Sequence, residues 1–389
     1  MKPRLTILMP LKGRHLFTIR FLWHANKLRL PYRFLIADGQ VNETLARHLE
    51  DSRSLFPELD IEYIRYADDT DYSCFFAKMF DAMQRVRTPY VMVADNDDFL
   101  GFGGIERALD FLDTNTDYVG ARSRSVGFFV YSGFGAQYGS VCGRFNRLRM
   151  HSDFKDVAAP TATERLRQGG LSDGLYYAIY RTEASVTIWR EVTEINFSDL
   201  MLHENFFALR PLTLGKIHID KRTITYYTQA LTGISHQPLR DWVQHLLRSR
   251  FTSDAHALIK RVSFAAAEAD GVDVAKIMEE VTCILERHYR DFLLAKYGPI
   301  AQMKRYIRKN WSGLVSLAQN RPRFSVRRER ASILSRLTDA GASSEDIRFI
   351  RDELTTIEQT LSPEAFADFA GPFLPMARGE GGREWLYPA

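Results

Sequence analysis

Residues 93–99 read Val93-Ala94-Asp95-Asn96-Asp97-Asp98-Phe99, so three carboxylates follow directly on an apolar run. Packed together without a counter-charge, they would repel and raise one another's pKa. A divalent cation with hard oxygen ligands, Mg²⁺ or Mn²⁺, relieves that repulsion and completes its shell with waters and phosphate oxygens. The bland alternative is a solvated acidic loop or a helix cap, which Asp favours. Placement decides between the two, and here the acids end a buried strand. Other short polar groups end similar runs: Lys12-Gly13-Arg14, Asp38-Gly39 and Asp68-Asp69.

The elements that carry these groups alternate. Leu5–Met9 reads as a buried strand stopped by Pro10, and Leu16–Leu28 has helical spacing. Strands at Tyr32–Ala37, Ile61–Tyr66 and Tyr90–Ala94 alternate with helices at Leu45–Leu55 and Ser73–Arg85. That rhythm predicts βαβ units in a mostly parallel sheet with flanking helices, an α/β class. Ligands of such sheets bind beyond the carboxyl ends of the strands, where all four polar groups fall. Further on, Tyr118–Val126, Phe128–Tyr131, Tyr176–Tyr180, Ser185–Trp189 and Lys216–Tyr227 read as strands. From Asp241 the pattern is helical throughout: Asp241–Ala267, Val272–Tyr297, Ile300–Ala318, Glu329–Ala340 and Ser344–Leu361. Two domains are expected, an α/β domain over 1–236 and a C-terminal helical one over 237–389.

A strand followed by Pro10-Leu-Lys-Gly-Arg14, a strand followed by Ala37-Asp-Gly39, and a strand followed by Ala94-Asp-Asn-Asp-Asp98 resemble the nucleotide-binding half of GT-A fold glycosyltransferases, family 2 in particular. The resemblance covers roughly residues 5–236. It implies a GT-A-like sheet whose acidic motif holds the metal bridging a nucleotide-sugar diphosphate. Carried over, Asp95 and Asp97 match the metal-binding carboxylates, with Asp98 the third acid and Asn96 among the donor contacts. Asp38 matches an acid that contacts the nucleotide base, Asp69 an acid after the third strand, and Pro10, Lys12 and Arg14 a loop packed on the nucleoside. One departure is Ala77-Lys78-Met79, where the family often has an asparagine. Lys78 reads either as a phosphate contact or as a surface lysine with a buried stem.

The family also has an acidic pair followed by Arg six and Gly eleven residues later. From Glu204 that spacing finds Arg210 and Gly215, with His203-Glu204 replacing the usual Glu-Asp. Inverting sugar transfer needs a base to take the acceptor hydroxyl's proton, and a carboxylate serves. Asp199 is the competing base, although Ser198-Asp199 also reads as a helix start. His236 is the candidate for completing a metal shell, and His218 reads as structural. Gly169–Tyr177 and the stretch containing Gly133, Tyr138, Arg144 and Arg147 are the acceptor-side and lid candidates.

The 389 residues carry 52 Lys+Arg against 48 Asp+Glu, and this balance excludes a general nucleic-acid coat. Cys74, Cys142 and Cys283 are far apart, which suits a reducing compartment. No apolar run reaches the roughly 18 residues of a membrane span or forms a secretory core, so a cytoplasmic chain is expected. Ten basic residues face one acid, Glu329, between Ile300 and Arg336. They form either solvated helix faces or an amphipathic surface resting on anionic membrane. The C-terminal helices are also candidates for self-association. The expected function is thus a Mn²⁺- or Mg²⁺-dependent, inverting glycosyltransferase. Its donor would be a nucleotide-diphosphate sugar, with UDP as default carrier, and its acceptor a glycan or lipid-linked hydroxyl in cell-surface polysaccharide or glycoconjugate synthesis. A sugar nucleotidyltransferase and a non-catalytic glycan- or membrane-binding scaffold are the alternatives.

Overall fold

Apolar runs without alternation are what strands buried on both faces require, and the first, second and fourth strands of the chain are built from them. In the computed structural model, β1 (Leu5–Leu11), α1 (His15–Leu28), β2 (Arg33–Asp38), α2 (Glu43–Glu50), β3 (Asp60–Arg65), α3 (Tyr72–Gln84) and β4 (Tyr90–Val93) follow one another as βαβ units. The structure describes residues 2–51, 55–131, 140–151, 155–171, 174–198, 200–230, 250–299, 302–303 and 326–371. Strands β3-β2-β1-β4 are parallel, with Leu8 beside both Leu35 and Val93. The first strand does not stop at Pro10 but runs on to Leu11. Its ladder with β4 ends at Leu8, so Pro10 lies past that ladder, at an edge-like position where a missing N–H is tolerated.

Beyond the acids come β5 (Phe99–Leu100), α4 (Phe102–Thr114), β6 (Tyr118–Tyr131), β7 (Arg144–Met150), α5 (Ala162–Gly169), a 3₁₀ turn (Leu175–Tyr177), β8 (Ile179–Arg181), α6 (Thr182–Ile195), α7 (Leu200–Leu214) and β9 (Lys216–Gln229). They extend the sheet in the order β4-β8-β6-β9-β5, with β7 on β6. Here the pairing is mixed: β8 runs antiparallel to β4 and β6, whereas β9 is parallel to β6. The expected α/β sheet with flanking helices is therefore present, parallel in its first half and mixed beyond. Three local expectations fail. Ser185–Trp189 is helix, because Ser185, Ile188, Trp189 and Val192 are buried at helical spacing despite the β-branched residues between them. Tyr176–Tyr180 divides into the turn and β8. Arg144 and Arg147 belong to β7 rather than to a lid, while Gly133 and Tyr138 lie outside the described residues.

The C-terminal helices are α8 (Phe251–Asp270), α9 (Val274–Tyr297), α10 (Val326–Asp339), α11 (Ser344–Thr360) and α12 (Pro363–Ala370). They bury their apolar stripes in the same clusters as the sheet. Leu258, Val262 and Val281 pack in one cluster with Leu8 and Val91. Ile333, Leu337 and Leu354 join Phe99, Val126 and Ile224, and Phe366 joins Leu22 and Phe56. Each such side chain contributes about 1.5–3 kcal/mol by leaving water. A capping box between Ser343 and Asp346 starts α11. The domain boundary expected at residue 236 falls outside the described residues, as does most of the basic segment. No helix among the described residues is long and apolar enough to cross a membrane.

Candidate metal centre

β4 ends at Val93, the buried Ala94 still donates its N–H to the Leu8 carbonyl, and Asp95 to Asp98 follow beyond the strand. Asp95, Asp97 and Asp98 each place an oxygen within 4.8 Å of the other two. Asp95 is partly buried, Asp97 and Asp98 almost wholly so. The Tyr177 hydroxyl donates to Asp95 Oδ2 at 2.6 Å, and the Asp95 N–H donates to the Tyr226 hydroxyl oxygen at 2.9 Å. Those two tyrosine rings stack with centroids 4.9 Å apart. The backbone N–H of Gln229, at the end of β9, donates to Asp98 Oδ1 at 2.6 Å.

Burial pushes the Asp95 carboxyl up to about 6, and the neighbouring Asp97 charge adds to the rise. Asp98 is held well above the carboxylate range by burial and by the charges of Asp97 and Asp95. Hydrogen bonds from the tyrosines and from Gln229 offset only part of this. Negative charge at this rim is under-compensated, and a hard oxygen donor set in that condition fits Mg²⁺ or Mn²⁺.

Among the described residues, two arginines supply cations here. Arg14 Nη2 meets Asp97 Oδ2 at 2.6 Å, with its guanidinium 4.8 Å from the Phe17 ring centroid. The loop that presents it turns through two successive left-handed residues, Gly13 at φ 66 and Arg14 at φ 56. Arg20 lies behind the cluster with no exposed surface. It donates to the Asp97 carbonyl, and at 2.7 Å to both the Val141 carbonyl and Gln229 Oε1. The sequence reading missed Arg20, Tyr177, Tyr226 and Gln229. Tyr177 stood in the Gly169–Tyr177 stretch read as an acceptor-side candidate rather than beside the acids, Tyr226 stood in a segment read only as a strand, and an arginine in the middle of α1 carries no local signal of burial.

The other expected contacts divide. Asn96 faces inward: its amide donates to the Arg14 carbonyl at 3.2 Å and to Thr18 Oγ1 at 3.0 Å, so it braces the first loop rather than meeting a donor. Asp38 has no exposed surface. Its oxygens accept from the Gln40 N–H at 2.9 Å and the Tyr63 hydroxyl at 2.7 Å, which corrects its expected place against a nucleotide base. Lys78 is neither a surface lysine nor open to a phosphate. It is buried in an ion pair with Asp69 and donates to the Leu11 carbonyl at 3.0 Å. Asp69 is buried with it, and Gly39 passes so close that any side chain there would meet the Asp69 carboxylate. Lys12 is partly exposed and donates to the Asp69 carbonyl at 2.5 Å, and Pro10 is partly exposed on β1.

Glu204 is exposed on the first turns of α7. Its neighbour His203 is buried and stacks on Phe76 with centroids 5.0 Å apart, and burial lowers its pKa to about 3. Arg210 forms a buried two-point pair with Glu191, at 2.6 and 2.8 Å, tying α7 to α6. His218 pairs with Asp156 at 2.9 Å and stacks on Phe111. Asp199 and His236 lie outside the described residues.

No protein-family profile and no curated protein matches the sequence. Among solved structures, S. aureus TarS 1–349 in complex with UDP-GlcNAc matches with a TM-score of 0.46 and 12% identity, over 98% of this chain and 93% of that one. A longer S. aureus TarS chain matches with a TM-score of 0.45 and 13% identity, over 74% of this chain and only 43% of its own length. Mannosyltransferase PcManGT from Pyrobaculum calidifontis, in complex with GDP-Man and Mn²⁺, matches at 0.38 and 10%, over 80% and 88%. Likeness at this level assigns no reaction to the chain.

Proposed function

We propose that the chain is a metal-dependent, inverting glycosyltransferase. It transfers a sugar from a nucleotide-diphosphate sugar, UDP being the default carrier, to a hydroxyl of a glycan or lipid-linked acceptor in cell-surface polysaccharide or glycoconjugate synthesis. One observation carries this reading: three crowded carboxylates, two with raised pKa, at the carboxyl end of a strand in a parallel βαβ sheet. Asp95 and Asp97 hold the ion, with Asp98 beside them and His236 a further ligand. When bound, Mn²⁺ or Mg²⁺ supplies positive charge against the diphosphate as it leaves. Tyr177 and Tyr226 fix Asp95, and Arg20 and Asn96 fix the loops on either side. Lys12 and Pro10, partly exposed on the rim, face the donor. Glu204 takes the proton of the acceptor hydroxyl while that oxygen bonds to the anomeric carbon and the bond to the diphosphate breaks. Asp199 is the other acid that could fill this role. The basic segment over 300–336 rests on anionic membrane near a lipid-linked acceptor, and the C-terminal helices offer a surface for self-association.

The test is release of nucleotide diphosphate from a panel of nucleotide sugars with Mn²⁺ or Mg²⁺, each against EDTA. Thermal shifts on the same panel report binding without turnover. A metal-dependent rise in melting temperature with at least one nucleotide sugar, and release with that donor, supports the reading. Pyrophosphate exchange in place of diphosphate release would identify a nucleotidyltransferase. Absence of both binding and release would leave the scaffold reading.

A further inference from the structure

The acid cluster is not simply open to an incoming ion, because Arg14 already stands on Asp97. The pair has an N–O distance of 2.6 Å, and about a third of the Arg14 side chain is exposed against 11% of Asp97's. The guanidinium is therefore at the mouth of the cluster, whereas Arg20, wholly buried, is at its back. Only Arg14 is placed to leave without unpacking the core. Its backbone is held independently of its side chain: the Arg14 carbonyl caps α1 by accepting from Phe17 and Thr18 at 3.0 and 3.4 Å and also accepts from Asn96. A side chain that swings while its backbone stays fixed is what a displaceable counter-ion requires.

We propose that Arg14 is a resident counter-ion of the metal centre: it neutralises Asp97 in the metal-free chain, yields that carboxylate to the divalent ion, and turns to the donor's diphosphate. The inference rests on the metal reading above and adds a coupling to it. A bare divalent ion must displace a cation and leave it facing another, so it binds weakly. An ion arriving with a diphosphate provides the guanidinium with a new anionic partner, for which Arg geometry is well suited. Metal and diphosphate thus bind cooperatively, and free cytosolic ions alone are discriminated against.

Isothermal titration of Mn²⁺ into the full chain, with and without inorganic pyrophosphate, tests this without any turnover. Wild type should bind Mn²⁺ weakly alone and at least about tenfold more tightly with pyrophosphate. Arg14→Gln should bind Mn²⁺ alone about tenfold more tightly than wild type and lose most of the gain from pyrophosphate. Arg14→Lys, which restores the charge, should bring weak Mn²⁺ binding back. Thermal melts check that both variants fold, and Asp97→Ala should bind no Mn²⁺ in either condition. If wild type binds Mn²⁺, Asp97→Ala does not, and Arg14→Gln binds no more tightly than wild type, the counter-ion inference is overturned while the metal centre stands. If wild type binds no Mn²⁺ even with pyrophosphate, the metal reading fails and takes this inference with it.

Discussion

Two groups of acids stand on one rim of the parallel sheet, and they end in opposite states. At the ends of β2 and β3, Asp38 and Asp69 are sealed in the protein: the first by Tyr63 and Gln40, the second by an ion pair with Lys78. At the end of β4, Asp95, Asp97 and Asp98 crowd within 4.8 Å, and burial raises Asp95 and Asp98. Both groups are aspartates at or beyond the carboxyl ends of parallel strands. The difference is supplied from elsewhere in the chain: a buried lysine on α3 faces the single Asp69, whereas three crowded acids share tyrosines, a backbone amide and one partly exposed arginine, Arg14. A single buried acid matched by its own donors or cation becomes structure. Crowded acids that outnumber the cations facing them keep a demand for positive charge, which is the condition for binding a metal.

The sharpest way to break this contrast is to remove an acid from the open group. Asp97→Ala should leave the fold intact, with a melting temperature within about 3 °C of wild type. It should abolish Mn²⁺-dependent binding of nucleotide diphosphate and reduce turnover by roughly 10³-fold or more. Binding that persists in this variant would remove the open cluster from the mechanism. Glu204→Gln comes next, since it separates chemistry from metal binding. Donor affinity should stay near wild type in calorimetry while turnover falls roughly 10²- to 10⁴-fold. An active Glu204→Gln beside an inactive Asp199→Asn would transfer the base role to Asp199.

The sealed group should respond in stability. Both partners of the Lys78–Asp69 pair are nearly wholly buried, and burial pushes Asp69 up and Lys78 down while their attraction opposes both shifts. Lys78→Met leaves Asp69 uncompensated and should cost about 3–5 kcal/mol in urea unfolding. Adding Asp69→Asn should recover more than half of that loss. If Lys78→Met instead kept its stability and lost donor binding, Lys78 would be a ligand contact after all.

The sequence made the strand ends legible because βαβ rhythm and buried apolar runs are local patterns. The crowding of Asp95, Asp97 and Asp98 was equally legible, since it is a matter of adjacent positions. What could not be read was which acids have partners. Lys78 lies nine positions from Asp69 on the next helix, and its helical context is that of any surface lysine until α3 is laid across the sheet. Tyr177 and Tyr226 reach Asp95 from 82 and 131 residues away. Ser185–Trp189 misled for a different reason: Val186 and Thr187 favour strands, but the burial of Trp189 and Val192 needs helical spacing, and packing overrides propensity.

A third buried carboxylate gives the smallest and most conditional test. Glu353 on α11 is buried against β9 and the start of α4. It accepts from the Tyr227 hydroxyl at 2.7 Å and the Gly103 N–H at 3.4 Å. Burial pushes it up to about 7, and these hydrogen bonds only partly counter the rise. It therefore resembles Asp95 in accepting from a tyrosine hydroxyl, but it stands apart from the crowd that Asp95 forms with Asp97 and Asp98. The native state then holds a proton between the ordinary glutamate value and about pH 7 that the unfolded chain has lost, so this site makes stability fall as pH rises through that window. Its contribution between pH 5 and 8 should be about 1–3 kcal/mol. Glu353→Gln should flatten that part of the stability–pH curve and be the more stable chain at pH 8, while leaving Mn²⁺ affinity unchanged. A flat wild-type curve would mean that Glu353 stays ionised, and that tyrosine and amide donors alone can satisfy a buried carboxylate. The demand for a cation at Asp95 would then come from crowding with Asp97 and Asp98 and not from burial.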